Sequence, residues 1–518
     1  MGSFFKQLFA TKSVEQLRRE AERKEGALRP SLGGIHLVCL GIGAIIGTGI
    51  FVLTGVAAHE RAGPALILSF LVAGLACSFA ALCYSELASM APVAGSAYTY
   101  AYASLGELFA WIIGWDLIIE YAVSAAAVAH GVSHYFQDLL GIFHVQLPEA
   151  LTGAPIDYNP ALGHLVSTGK LFDLPALLIV VAITCVLVVG IKESATLNMK
   201  LVLFKVAIVV FVIAVGAFYV NPANWHPFAP YGYGGINFFG KMLIGHGDAG
   251  GQPLGMLAGA AVIFFSYIGF DSVSAHSEEA LEPYPDVPIG IISSLLICTV
   301  LYAGVGIVLT GMVPYDKINI DAPVSDAFRQ VGLTWAQLLI SLGAVVGITS
   351  VVLVTMLSQA RILLAMARDG LLPRFFGDLH ERFQTPWKGT ILTGAFVGLL
   401  SSLLPLHVLS DLVNIGTLLA FVIVCMAVLI LRYKRPDVPR PFRAPLGRLV
   451  ALLGIATCLM LMFSLPVENW VRLGVWLLLG FVIYFGYGRR HSTLAGECAN
   501  GTPSGQDAAE RAQPAASG

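Results

Sequence analysis

Twelve apolar segments run along this 518-residue chain, each close to the roughly twenty residues that an α-helix needs to cross the hydrocarbon of a bilayer. They fall at about 33–59, 64–90, 97–131, 173–191, 196–220, 255–280, 288–312, 333–366, 388–405, 410–432, 448–466 and 470–488. In lipid, backbone N–H and C=O groups must find partners inside the protein, so such segments become helices. The expectation is an all-α integral membrane protein with twelve transmembrane helices. Composition agrees: 57% hydrophobic against 12% charged residues excludes an ordinary soluble domain. A net charge of -2 gives no bulk attraction to nucleic acid. The eight cysteines are scattered and form no CxxC pair, so neither a disulfide framework nor a metal site is expected.

The segments divide the chain into three parts. Residues 1–32 are a hydrophilic leader, with 14–30 patterned as a short surface helix. Residues 33–488 are the transmembrane domain, and 489–518 form a Gly/Ala/Pro/Ser-rich tail expected to be disordered. The leader is basic and amphipathic, and the apolar segment after it is too long for a cleavable signal peptide. If the amino terminus is cytoplasmic, twenty-three of the thirty Lys and Arg residues fall inside and six outside. That bias predicts both termini in the cytoplasm of a plasma-membrane protein.

Residues 41–52, GIGAIIGTGIFV, lie inside the first segment. Glycines at 41, 43, 47 and 49 each cost about 1 kcal/mol against alanine in a helix. One reading is a helix built to break; another is a small-residue face for close packing. The sixth segment carries a second interruption, FFSYIGFDSVS at 264–274, with Ser266, Gly269 and Asp271 among apolar residues. Segments one and six are five apart. Breaks in corresponding positions of two halves point to an inverted repeat and to a transporter's substrate site. Helices 1–5 (about 33–220) would then pair with helices 6–10 (about 255–432), leaving helices eleven and twelve (about 448–488) peripheral.

GIGAIIGTGIF, the run from Gly95 to Tyr121, GIKESATLN at 190–198, SYIGFDSVSAHSEEA at 266–280 and RILLAMARDGLLP at 361–373 together resemble the amino acid–polyamine–organocation superfamily. Within it they look most like a bacterial member of the cationic amino acid transporter branch. The resemblance spans about residues 30–490. It implies a LeuT-like 5+5 inverted repeat with discontinuous helices one and six. It also implies a secondary active transporter of amino acids, with proton symport or exchange as its two modes. No cofactor is implied, and a small membrane subunit stays open as a partner besides the bilayer, protons and the amino acid. No HExxH, GxSxG or phosphate-cradling loop points to an enzyme; a receptor or a channel is a further alternative.

An amino acid carries a carboxylate and an ammonium a few ångströms apart. A broken helix can serve both, offering N–H groups from its second half and carbonyls from its first. The family pattern implies the carboxylate at Thr48 and Gly49, and the ammonium at the carbonyls of Ile45, Phe265 and Ile268. Phe265 matches the aromatic that closes over substrate, and Thr355 the position that sets side-chain size. Tyr121 to Ala125 and Asn414 to Leu418 are expected as further walls. Lys205 stands near the middle of the fifth segment, where a charge is costly and a functional candidate by default. The resemblance gives it proton coupling, with contacts near Ile42, Gly43, Thr349 and Ser350; a purely structural tie is the alternative. Glu120 and Asp271 are the other acids at depth, read as gate or relay residues or as partners of neighbouring helices. Glu278, Glu279 and Glu282 are expected to meet Arg361 and Arg368, and His130 and His134 to lie at the outer interface.

Overall fold

A computed structural model describes residues 8–12, 32–93, 95–159, 164–189, 195–239, 241–248, 251–381, 383 and 385–493. The surface helix expected at 14–30, the tail beyond 493 and residues 190–194 of the third motif lie outside them. A helix, whole or broken, lies on each of the twelve apolar segments. Among the described residues, eight helical stretches are long and apolar enough to cross a membrane, and three shorter apolar helices accompany them.

The first segment is a helix in two halves, α1 (Gly34–Ile45) and α2 (49–62). Ile46 is extended, with φ -73° and ψ 100°, and ends α1. The helices that follow are α3 (Leu66–Met90), α4 (Ser96–Ser104), α5 (Glu107–Ile142), α6 (Leu174–Val189) and α7 (Ala195–Gly216). The sixth segment supplies α8 (Met256–Ile263), an irregular stretch, and the four-residue α9 (Ser272–Ala275). Then come α10 (Pro283–Met312), α11 (Pro323–Gln330), α12 (Thr334–Arg368), α13 (Trp387–Leu403), α14 (Leu406–Lys434), α15 (Arg448–Met462) and α16 (Val467–Ile483). Three two-stranded hairpins, β1/β2 (Ile156–Asn159 with His164–Ser167), β3/β4 (Ile236–Phe238 with Lys241–Ile244) and β5/β6 (His246–Gly247 with Pro253–Leu254), fill the loops.

The third segment differs from expectation. It is two helices, parted at Gly106, whose φ of +108° suits glycine and whose added Cβ would stand 2.7 Å from the Phe9 backbone. The longer helix, α5, runs eleven residues past the expected end at 131, to Ile142. His130 and His134 therefore lie inside α5 and not at its end. His130 is 5% exposed and its Nδ1 is 3.0 Å from the carboxylate of Asp173 at the start of α6.

Four pairs of segments five apart are in contact, besides other contacts such as α1 with α10 and α5 with α14. The broken first and sixth segments touch, and α3 packs on α10, α5 on α12, and α6 on α13. The inner helices are buried: α1 has no exposed residue from Leu37 to Ile45. The outer helices carry large exposed apolar side chains such as Leu203 and Val210 on α7 or Val475 and Val482 on α16. That is the surface lipid requires. The helices of segments eleven and twelve are not merely peripheral. α15 packs on α3 and α14. α16 is bound to α5 by a stacked pair, Trp115 and Trp476, at 4.5 Å between rings. Each indole N–H of that pair donates to the other residue's carbonyl, at 2.9 and 3.1 Å.

Candidate functional site

The two breaks face each other at close range. A Cβ on Gly49 would stand 2.4 Å from the Cα of Ser266, and one on Gly269 would meet the Ala44 backbone at 2.8 Å. Gly269 also has φ +120°, a conformation other residues rarely adopt. So the glycines at 49 and 269 are there for close approach and backbone freedom. Packing and breaking, the two readings of 41–52, are both present. Just past the break the chain continues as a π-helical turn, Gly49–Leu53, a form frequent at functional sites.

Between the breaks lies a cavity lined by Ile45, Thr48 and Gly49, by Glu120, Tyr121 and Ser124 of α5, by Phe265, Ile268 and Asp271, and by Val351 and Thr355 of α12. Every expected substrate residue is thus brought together around one space. Its free volume is about 20 Å³, enough to admit a water molecule. Asn414 to Leu418 are not among the lining residues. Instead Asn414 Nδ2 donates to the carbonyls of Ala261 and Val262, at 3.0 and 3.3 Å, steadying α8 where it unwinds.

Each broken end is held from outside. The Tyr302 hydroxyl of α10 donates to the Ile45 carbonyl at 2.9 Å. Lys205 Nζ of α7 donates to the carbonyls of Gly43 at 2.8 Å and Ile46 at 3.4 Å. Lys205 is 1% exposed, and among the described residues no acid pairs with it. Its stem rests on Gly347 of α12 at 3.1 Å from the Cβ position, one turn from the expected Thr349 and Ser350. The hydroxyls of those two donate within their own helix. Thr48 lines the cavity, and its hydroxyl donates to the Val128 carbonyl of α5 at 3.2 Å. Gly131 makes room for it, because a Cβ there would lie 2.3 Å from Thr48 Oγ1.

Asp271 closes the second break. Its Oδ2 accepts from the Tyr121 hydroxyl at 2.7 Å and its Oδ1 from the Gly269 N–H at 3.2 Å. Glu120 lines the same cavity at 3% exposure. At the carboxyl end of the sixth segment, Arg361 pairs with Glu279 at 3.0 Å, as expected; the side chain of Glu278 lies outside the described residues. Sequence reasoning missed Tyr302, a single aromatic in an apolar helix whose hydroxyl carries no periodic signal, and it named Tyr121 as a wall without its bond to Asp271.

A profile of the amino acid permease family matches residues 32–486. The branched-chain amino acid permease BcaP of Bacillus subtilis is 47% identical over 488 residues, covering 94% of this chain and 99% of that one. The methylthioribose transporter of the same organism is 44% identical over 487 residues, with the same coverage. A vacuolar cationic amino acid transporter of Arabidopsis thaliana is 42% identical over 404 residues, which is 78% of this chain and 60% of the relative.

Proposed function

This chain belongs to the amino acid permease family of the amino acid–polyamine–organocation superfamily, a family of transporters and not of enzymes, and from that premise we propose that it imports a neutral, apolar α-amino acid together with a proton. The observation that carries the reading is the single cavity where both breaks meet. The N–H groups of the first turn of α2 have no acceptor within the helix and face the substrate carboxylate with the positive end of its dipole. The carbonyls of Ile45, Phe265 and Ile268 take the ammonium.

Part of the cavity wall is apolar, beside the polar Glu120, Tyr121 and Asp271. Val128, Phe265, Ile268 and Val351 line it, and the Thr355 hydroxyl is engaged with the Val351 carbonyl at 2.8 Å, leaving its methyl group to the wall. This favours a branched aliphatic side chain, which is also what the BcaP relative is named for. Twelve spans in a 5+5 inverted repeat, both termini in the cytoplasm and the plasma membrane complete the proposal; the pairing of helices five apart supports the repeat.

Lys205 is the proposed proton carrier. Its ammonium bridges the last carbonyls of α1, so losing the proton would leave Nζ with fewer donors and loosen the break. The test is uptake into proteoliposomes of labelled leucine, arginine and methylthioribose, with and without a pH gradient, inside acidic or outside acidic. Leucine accumulation driven by an acidic exterior is expected. Arginine accumulation alone would replace the neutral reading with a cationic one, and exchange without net accumulation would replace symport with antiport.

A further inference from the structure

The substrate cavity uses Glu120 but not Asp116, which lies one helical turn nearer the amino end of α5 and outside the cavity lining. Asp116 is 1% exposed and Glu120 3%. Neither carboxylate oxygen of Asp116 has a hydrogen-bond partner, and neither has Glu120 Oε2. Three acceptor atoms in one buried strip of α5 are therefore unmet.

The neighbours explain why. α14 passes closest at Gly416, where a Cβ would stand 2.8 Å from Asp116 Oδ1 and 3.2 Å from Oδ2. A bare glycine faces the carboxyl where a donor would ordinarily stand. The next residue, Thr417, lies against Glu120. On α12 the Gln359 amide is turned to the Ile118 carbonyl, and from α16 Trp476 is taken up by Trp115. Tyr121 of α5 is committed to Asp271. Among the described residues no Lys, Arg or His faces either acid; the charged neighbours of Glu120 are Asp271 and Asp116.

A carboxylate buried without a cation or a donor is expensive, and more so at membrane depth. Such a group persists where it holds a proton for part of a cycle. Side chains four apart on a helix have Cβ atoms about 5–6 Å apart, a separation that one bridging water spans.

We propose that Asp116 is a proton station that receives the proton released by Glu120 and carries it away from the substrate cavity along α5. The O–H bond at Glu120 breaks, a proton passes through the bridging water, and an O–H bond forms at Asp116. Glu120 is left as a carboxylate until the next proton arrives from the cavity side. Gly416 keeps α14 close enough to exclude bulk water while leaving the carboxyl free of a competing donor. The proposal rests on the proton-symport reading.

The test uses the full chain in proteoliposomes with leucine as the probe. Wild-type protein is expected to accumulate leucine against its gradient when the exterior is acidic. Asp116→Asn is expected to lose that accumulation while keeping leucine counterflow, which requires no net proton movement and also reports that the variant is folded. Infrared difference spectra between two pH values are expected to show a protonated-carboxyl band that Asp116→Asn removes. Gly416→Ala, which keeps both acids and crowds the Asp116 carboxyl, is expected to shift the pH midpoint of uptake and serves if Asp116→Asn does not fold. Wild-type accumulation, pH profile and infrared spectrum in either folded variant would overturn the station. No proton-driven accumulation in the wild type would overturn symport itself, and the station with it.

Discussion

The two helix breaks meet at one cavity but are stabilised in different ways. The first is held from a distance. Its carbonyls take donors from α7 and α10, through Lys205 and Tyr302, and its Thr48 hydroxyl reaches α5. The second is held partly from within. Asp271 accepts from the N–H of Gly269 two residues away and from one outside donor, Tyr121, while Asn414 of α14 steadies the end of α8. An exposed carbonyl at a break attracts hydroxyls and ammonium groups, whereas an exposed N–H can be capped by a nearby carboxylate. The first break can therefore respond to events in α7 and α10, while the second turns on its contacts with α5 and α14.

The largest effect is expected where the breaks touch. Gly49→Ala would push a methyl group into the Ser266 backbone, which has no rotamer with which to yield. Overpacking of this kind costs about 3 kcal/mol. Loss of leucine uptake and a lowered thermal midpoint in detergent are expected; a folded, active Gly49→Ala protein would show that the two breaks do not pack as described. Next is Lys205→Met, which keeps the buried stem and removes the donor to Gly43 and Ile46. Two carbonyls left without it cost about 2 kcal/mol together. Proton-driven leucine accumulation should disappear while counterflow persists. Equal loss of both would reduce Lys205 to a structural tie.

The sequence made the first break far more legible than the second. Four glycines within nine residues of an apolar segment leave few helical alternatives, and the cavity does form there with Ile45, Thr48 and Gly49 in its lining. Lys205 stood out because a charge in mid-segment has no cheap explanation, and its reach to Gly43 was implied by the family resemblance. What escaped was set by single side-chain orientations. Thr48 turns to Val128 because Gly131 leaves space on a different helix. Asn414 turns to α8 rather than into the pocket. The split at Gly106 lies against a docked amino-terminal segment that periodicity cannot foresee. The Trp115–Trp476 clasp that draws the twelfth segment onto α5 needed the positions of both indoles.

The smaller effects separate the two breaks most directly. Tyr121→Phe removes the only outside donor to Asp271 among the described residues and leaves the Gly269 N–H in place. A hydrogen bond to a carboxyl group is worth about 2 kcal/mol, so a clear drop in thermal midpoint is expected. Tyr302→Phe removes one neutral hydroxyl from the Ile45 carbonyl while Lys205 continues to hold Gly43 and Ile46. About 1 kcal/mol is expected there, equivalent to roughly a fivefold loss in leucine affinity if the Ile45 carbonyl also receives the substrate ammonium. The pair of variants discriminates between the two modes of support. If the first break is shared among several donors, Tyr302→Phe weakens leucine binding modestly and leaves the pH dependence of uptake unchanged. If instead Tyr302→Phe is the more damaging of the two, the Tyr302 hydroxyl and Lys205 do not share the break, and the first break depends on one bond just as the second depends on Tyr121.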